Sequence, residues 1–340
     1  MRNALLILLL LGLAACTGEP VHQRQFLQFG TLIDISVSGV DARRAEAAFD
    51  AVEQLLAKRN RQWHAWEDGD LKRFNDALAA QPTEGVPVPP SLRRLIDDSK
   101  RYYRVSDGLF NPALGKLIAA WGFQGREQPD RALIERIRQD LPTMDDLRIE
   151  DNRAWSDNPF LQLDFGAIAK GLAVAQTGDL LLQHGIRHFI VNAGGDLLVR
   201  GRKSDDEPWV IGIENPFRGG ALATLAMAGD GAVFTSGSYR RYYIDEQGRR
   251  RQHIIDPRTG EPATSIRSVT VLLDDPVAAD AAATALMLTE PERLPEMLQR
   301  LAVREALVIA EDRQAWISPG WKDRLIWSDR IGPKPQPIGK

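Results

Sequence analysis

The chain contains a single cysteine among its 340 residues, which excludes an intramolecular disulfide as a source of stability. It also lacks a strong charge excess: a net charge of −3 argues against non-specific nucleic-acid binding. It has no low-complexity tract, no internal repeat and no G-x-S-x-G elbow of the kind that presents a serine nucleophile. Long apolar runs are scarce. The uncharged run over residues 4–15 is shorter than the roughly 20 apolar residues a helix needs to cross a bilayer. What remains is globular in composition, 44% hydrophobic and 26% charged, with chain enough for one large domain or two compact ones.

The short apolar run follows Arg2 and ends in Leu13, Ala14, Ala15 and Cys16, a pattern that resembles a bacterial lipobox. The expectation is a signal peptide over residues 1–15, a lipid on Cys16 and a tether over 16–25. The body then spans 26–330 and a polar, Pro-rich flexible tail follows over 331–340. A secreted soluble protein with a chance cysteine at the junction is the alternative.

Periodicity predicts a strand over residues 25–37 and a helix over 41–63 capped by Asp41. A Pro-rich linker (82–90), a helix (91–105) and a turn (106–112) follow, then short strands over 147–150 and 161–163. Asp164 is expected to cap a helix reaching Gln183 and stopping at Gly185. Strands over 188–192, 197–200 and 209–213 come next, the first two joined by a tight turn at Gly194 and Gly195. A hairpin over 239–255 turns at Asp245 to Gly248, and Asp275 with Pro276 opens another helix. Strands over 306–310 and 314–318 close the body. Hairpins and helices mix without regular βαβ alternation, so the fold class is α+β, with mixed and antiparallel sheets and packed helices.

Several segments carry side chains that chemistry can use. Asp280 and Thr284 stand four apart on an expected helix, so they share one face among alanines. Both offer oxygen, which suits Mg2+ rather than zinc; the same pair can equally cap a helix or face solvent. The stretch DFGAIAKG from Asp164 to Gly171 offers backbone N–H groups at a helix start, with Lys170 as a point charge, an arrangement that holds anions. An ordinary capped helix against a sheet has the same composition. His253 precedes a turn set by Pro257 and relaxed by Gly260. Beside a metal it is a natural acceptor for a hydroxyl proton, and a structural His on a strand edge is the alternative. Thr235, Ser236, Ser238 and Arg240 read as a phosphate-contacting loop or as a polar turn. Arginines 240, 241, 249, 250, 251 and 258 cluster in a patch that suits a small anionic ligand.

In this order and spacing the segments resemble the FAD:protein FMN transferases, the ApbE family, over roughly residues 28–327. The resemblance implies an ApbE-like, T-fold-related two-lobed architecture, with FAD as substrate and Mg2+ as cofactor. It implies that Asp280, Thr284 and the backbone carbonyl of Ala167 hold the metal, and that Asp164 and Lys170 contact the flavin nucleotide. His253 corresponds to a required residue, with Asp280 its rival for the proton. Phe29, Trp66, Leu109, Phe110, Asn111 and Ile255 fall where the family contacts the nucleotide, and Arg240 is a candidate phosphate cation. This chain departs from the common pattern with Phe29 in place of Met and Asn111 in place of Asp. The implied reaction moves FMN to a threonine hydroxyl of an acceptor protein, a redox membrane subunit, and releases AMP. The implied location is the periplasmic face of a membrane, inner or outer, through the lipid on Cys16. An FAD pyrophosphatase and a non-enzymatic flavin-binding lipoprotein remain open.

Overall fold

The computed structural model describes residues 20–124, 128–330, 332 and 334–339. The expected signal segment, Cys16 and the first part of the tether lie outside the described residues.

A nine-stranded sheet is the spine of the fold. In spatial order its strands are His22–Gln28, Thr31–Ser38, His188–Ala193, Asp196–Arg200, Gly231–Gly237, Ile266–Leu273, Glu305–Ala310, Ala315–Ile317 and Gln336–Pro337. All neighbours are antiparallel except the last pair. One face carries helices Ala42–Trp63, Ala169–Gln183 and Pro276–Leu286, which bury Phe49, Val52, Leu172 and Ala283 against Ile35, Val191, Val269 and Val271. A three-stranded sheet of Leu325–Trp327, Ala221–Met227 and Trp209–Glu214 covers the other face and closes a second core around Trp209, Leu225, Val233 and Trp321. The two-residue period of a strand sorts Ile266–Leu273 between the two cores: Val269, Val271 and Leu273 face the helices and Leu272 faces the second sheet. A third, small core around Trp121, Ile134, Ile137 and Ile255 ties helices Gly115–Ala120 and Arg131–Arg138 to the segment after His253. Trp121 Nε1 donates to the Gly260 carbonyl at 2.8 Å and fixes that junction.

The α+β class stands as expected, and so do the caps at Asp41 and Asp275, whose carboxylates accept from the Arg44 and Val277 amides. Elsewhere the boundaries move for identifiable reasons. The strand expected over 25–37 is a hairpin, because Phe29 (φ 54°) and Gly30 (φ 68°) both adopt the left-handed conformation of a two-residue turn. The helix expected to start at Asp164 starts at Ala169, and Asp164 instead accepts from the Gly166 amide at 2.8 Å in a local turn. Residues 161–163 form no strand, only a single bridge between Leu114 and Gln162. Helices Asp70–Ala79, Gly115–Ala120 and Arg131–Arg138 had no counterpart in the sequence reading. Within the segment expected to be a free tail, Gln336–Pro337 pairs in parallel with Ala315–Ile317 and Ile338 is buried, so those residues belong to the sheet.

Candidate active site

The site is built where two helices come unusually close. A Cβ on Gly171 would lie 2.5 Å from the Pro276 carbonyl oxygen and 2.9 Å from Asp280 Cβ, so only glycine lets helices Ala169–Gln183 and Pro276–Leu286 approach this far. The closeness brings the Gly171 N–H to Asp280 Oδ2 at 2.8 Å. Gly171 is the third residue of its helix, so its N–H is one of the first-turn amides without an intrahelical acceptor, and Asp280 satisfies it. The Ala167 carbonyl, two residues before the helix, meets no donor among the described residues, while the next amide, Leu172, bonds the Ile168 carbonyl at 3.1 Å.

Three more elements converge here. Lys170 Nζ hydrogen-bonds Asp196 Oδ2 and lies 3.6 Å from Asp280 Oδ1. Asp196 opens its strand just after Gly194 (φ 65°) and Gly195 (φ 102°), and its Oδ1 accepts from the Thr235 amide at 3.2 Å. Thr284, half-buried one turn below Asp280, has its hydroxyl 3.4 Å from that of Ser236. Burial pushes the Asp280 carboxyl up to about 6; Lys170 and the Gly171 N–H oppose that rise and Asp196 adds to it. For Lys170 burial acts downward, but Asp196 and Asp280 outweigh it and hold the ammonium above its ordinary range. Asp280, Thr284 and the Ala167 carbonyl are all hard oxygen donors with lone pairs to spare, a set that fits Mg2+. No cluster of three or more His, Cys, Asp or Glu side chains suited to a metal occurs among the described residues. A cation here therefore depends on hydroxyl and backbone oxygens beside one carboxylate.

His253 sits at the base of the hairpin Tyr242–Ile244 and Arg250–Gln252. Its backbone N–H and its Nδ1 both meet the Arg241 carbonyl, at 3.3 and 3.2 Å. A carbonyl only accepts, so Nδ1 carries the proton and Nε2 keeps its lone pair. Burial pushes the imidazole down to about 4, the Arg241 charge adding to this and the hydrogen bond to the Arg241 carbonyl opposing it. The ring is thus neutral at pH 7, and its Nε2 lone pair has no hydrogen-bond partner among the described residues.

The other expected contacts divide into two groups. Phe29 and Trp66 are half-buried, Phe29 lying 6.1 Å from Trp63 with its amide held by Asn60 at 3.1 Å. They offer partly open aromatic surface. Leu109, Phe110 and Ile255 are packed in the cores with at most 5% exposure, so any contact with a nucleotide falls to their main chain. The Asn111 amide is occupied by the Pro142 carbonyl at 2.9 Å and the Ala113 amide at 3.1 Å. Asp164 lies in the turn before the Lys170 helix, with Gln124 Nε2 at 3.4 Å. Thr235 and Ser236 belong to a strand rather than to a loop, and Ser238 bonds Glu311 at 3.0 Å. Neither serine hydrogen-bonds His253 among the described residues, so no serine–histidine pair adds to the missing elbow.

The arginine patch resolves into ion pairs. Arg240 is held by Glu214 at 2.6 Å, Arg249 and Arg251 by Asp245, Arg250 by Glu311, and Arg258 by Asp256. Arg241 alone of the six makes no ion pair among the described residues. Burial pulls its guanidinium down and Asp164 is the charge that opposes this. Gly171 and Asp196 carry no mark of their own as site residues in the sequence, and Arg241 stands there only as one of six clustered arginines. The glycine-rich turn before Asp196 was the signal for one of them, and nothing separated Arg241 from its neighbours. Two surface hollows of about 610 and 440 Å3 lie elsewhere, one beside Trp316 and the other beside Trp209, and neither includes a residue of this group.

Comparison with known proteins gives a concordant result. The model of the ApbE family matches residues 29–308. An FAD:protein FMN transferase of Rhodobacter capsulatus is 36% identical over 310 residues, which cover 90% of this chain and 58% of that protein. The chain therefore spans little more than half the length of that relative. An FAD:protein FMN transferase of Klebsiella pneumoniae (strain 342) is 32% identical over 310 residues, 87% of each chain. The crystal structure of the ApbE protein from Thermotoga maritima superposes with a TM-score of 0.80 at 27% identity, covering 90% of this chain and 99% of that one.

Proposed function

The chain belongs to the ApbE family, and from that premise we propose that it is an enzyme of the kind its relatives are named for, an FAD:protein FMN transferase. In this reading the hydroxyl oxygen of an acceptor threonine attacks the phosphorus of the FMN half of FAD. The bond from that phosphorus to the oxygen bridging to AMP breaks, AMP leaves, and the hydroxyl proton passes to His253 Nε2. Asp280, Thr284 and the Ala167 carbonyl would hold Mg2+, whose bound charge offsets that of the phosphates. Lys170 supplies positive charge beside Asp280, and Arg241 is the guanidinium free to meet a phosphate oxygen. Phe29 and Trp66 offer aromatic surface to the flavin rings. The observation that carries the reading is the Gly171 N–H on Asp280, which fixes that carboxylate, together with an Ala167 carbonyl that meets no donor among the described residues. Attachment to a membrane with the body facing the periplasm rests on the sequence around Cys16, since no helix among the described residues is long and apolar enough to cross a bilayer.

The test is to incubate the chain with FAD, Mg2+ and a threonine-bearing acceptor domain, then weigh the acceptor by mass spectrometry while following AMP. An FMN-sized gain on the threonine, absent with EDTA, is expected. His253→Ala should slow the gain by about 10²–10³-fold, the usual contribution of a positioned base. AMP and free FMN with an unmodified acceptor would favour the pyrophosphatase, and intact bound FAD would favour a binding protein.

The two neighbouring arginines make a sharper comparison. Arg241→Ala is expected to raise KM for FAD about 10–100-fold with a smaller change in kcat, the size of a lost charge-assisted hydrogen bond. Arg240→Ala, which breaks the pair with Glu214 and the contact with the Tyr239 ring, should change KM for FAD less than about threefold, as exposed ion pairs do. Equal effects at the two positions would remove Arg241 from the phosphate site.

A further inference from the structure

Lys170 has two carboxylates within reach and one ammonium to share between them. Its Nζ hydrogen-bonds Asp196 Oδ2 but stands 3.6 Å from Asp280 Oδ1, beyond hydrogen-bond length. Both carboxylates are buried, Asp196 at 5% and Asp280 at 3% exposure, so neither can turn to water for a partner. Asp196 is itself fixed from behind. Its other oxygen accepts the Thr235 amide at 3.2 Å, and its strand is locked beside Gly231–Gly237 by the pairing of Leu197 with Val233. On Asp280, Oδ2 is occupied by the Gly171 N–H, which leaves Oδ1, the oxygen facing Lys170, with lone pairs to give.

An ammonium and a divalent cation compete for the same carboxylate oxygen. The two groups already form an ion pair at 3.6 Å; were Lys170 to close the remaining gap, its hydrogen bond would take the Asp280 oxygen that a metal bond needs. We propose that Asp196 is a positioning residue that draws Lys170 away from Asp280 and so keeps Asp280 Oδ1 open to a divalent cation. This rests on the reading of Asp280 as a metal ligand. The geometry has a second consequence: the lysine stays close enough to place its charge beside the metal site without occupying it. Asp196 thus acts through Lys170, by position rather than by contact with the cation.

The experiment measures cation binding directly, with Mn2+ followed by electron paramagnetic resonance on the full chain and no turnover. Asp196→Asn removes the charge that holds Lys170, and Mn2+ affinity is expected to fall about 10–100-fold, the range seen when residues that orient a metal ligand are removed. Adding Lys170→Gln removes the competitor, so the double variant should return to within about threefold of Lys170→Gln alone. Loss of affinity that persists undiminished in the Lys170→Gln background would mean that Asp196 acts by its own charge, and wild-type affinity in Asp196→Asn would mean that it does not act at all. Either result overturns the proposal. Should Asp196→Asn fail to fold, Asp196→Glu takes its place. The extra methylene pushes the ammonium toward Asp280, so a smaller loss, again reversed by Lys170→Gln, is expected, and unchanged affinity overturns the idea. Asp280→Ala run alongside separates the two levels. Equal Mn2+ binding by Asp280→Ala and wild type would sink the metal reading itself, whereas binding that needs Asp280 but not Asp196 would sink only the positioning role.

Discussion

Asp280→Ala is expected to lower FMN transfer by roughly 10³-fold or more while leaving the chain folded, about 4 kcal/mol of transition-state stabilisation. The size follows from what the carboxylate does in the proposed site: it is the charged member of the oxygen set and is held in place by the Gly171 N–H. Strong residual transfer at saturating Mg2+ would remove it from the mechanism. A pH measurement gives an independent check through Asp280→Asn. The folded-state pKa is raised to about 6 from an ordinary 3.8, so the fold binds this proton more tightly than the unfolded chain does. The group's contribution to stability is therefore present below about 4 and lost as pH rises through about 6. With EDTA present, the stability of the wild type minus that of Asp280→Asn should fall across that window by at most about 3 kcal/mol. Lys170 does not disturb the comparison, because its raised pKa keeps it charged throughout. At pH 7 Mg2+ should then raise the urea midpoint of the wild type and not that of Asp280→Asn. A difference that is flat with pH would show that the carboxylate is not held in a charge-disfavouring site.

How much of this was legible in the chain varies with the kind of signal. Helix Ala42–Trp63 announced itself through a cap and a clear apolar stripe, and Pro276–Leu286 through Asp275 followed by proline. Strand Ile266–Leu273 did not, because it is buried on both faces and shows no alternation to read. Nor did Gly231–Gly237, whose last residues carry hydroxyls and resemble a turn. Asp280 and Thr284 stood out by their spacing on a helix but were assigned to a metal only by resemblance to a family, and Ala167 by that resemblance alone. Residue type alone marks none of them, and a backbone carbonyl has no type to mark. What the chain could not disclose was relation: which arginine of six lacks an acid, which carboxylate holds the lysine, which glycine lets two helices touch. Arg240 and Arg241 are adjacent and chemically identical, and only the position of Glu214 separates their roles.

Gly171→Ala sets helix propensity against packing, and packing is expected to win by a wide margin. On propensity alone, alanine in a helix interior should stabilise by about 1 kcal/mol. The new methyl, however, would meet the Pro276 carbonyl oxygen at 2.5 Å and Val277 Cα at 3.0 Å, both main-chain atoms that cannot swing aside. The two helices must part, at a cost of about 3 kcal/mol, the upper part of the range for overfilled cores. Gly178→Ala on the same helix is the control. Its nearest neighbour, at 2.6 Å, is the end of the Leu198 side chain, which can rotate, so a loss closer to about 1 kcal/mol is expected there. The helices cannot part without a chemical consequence. As Asp280 recedes, it loses the Gly171 N–H that positions it, and the charged member of the oxygens proposed to hold the metal is displaced. Gly171→Ala should therefore weaken Mn2+ binding well beyond Gly178→Ala, even where urea midpoints show both variants folded. If the two variants bound Mn2+ alike, the close crossing at Gly171 would be a matter of packing only, and the link between helix contact and metal site would be broken.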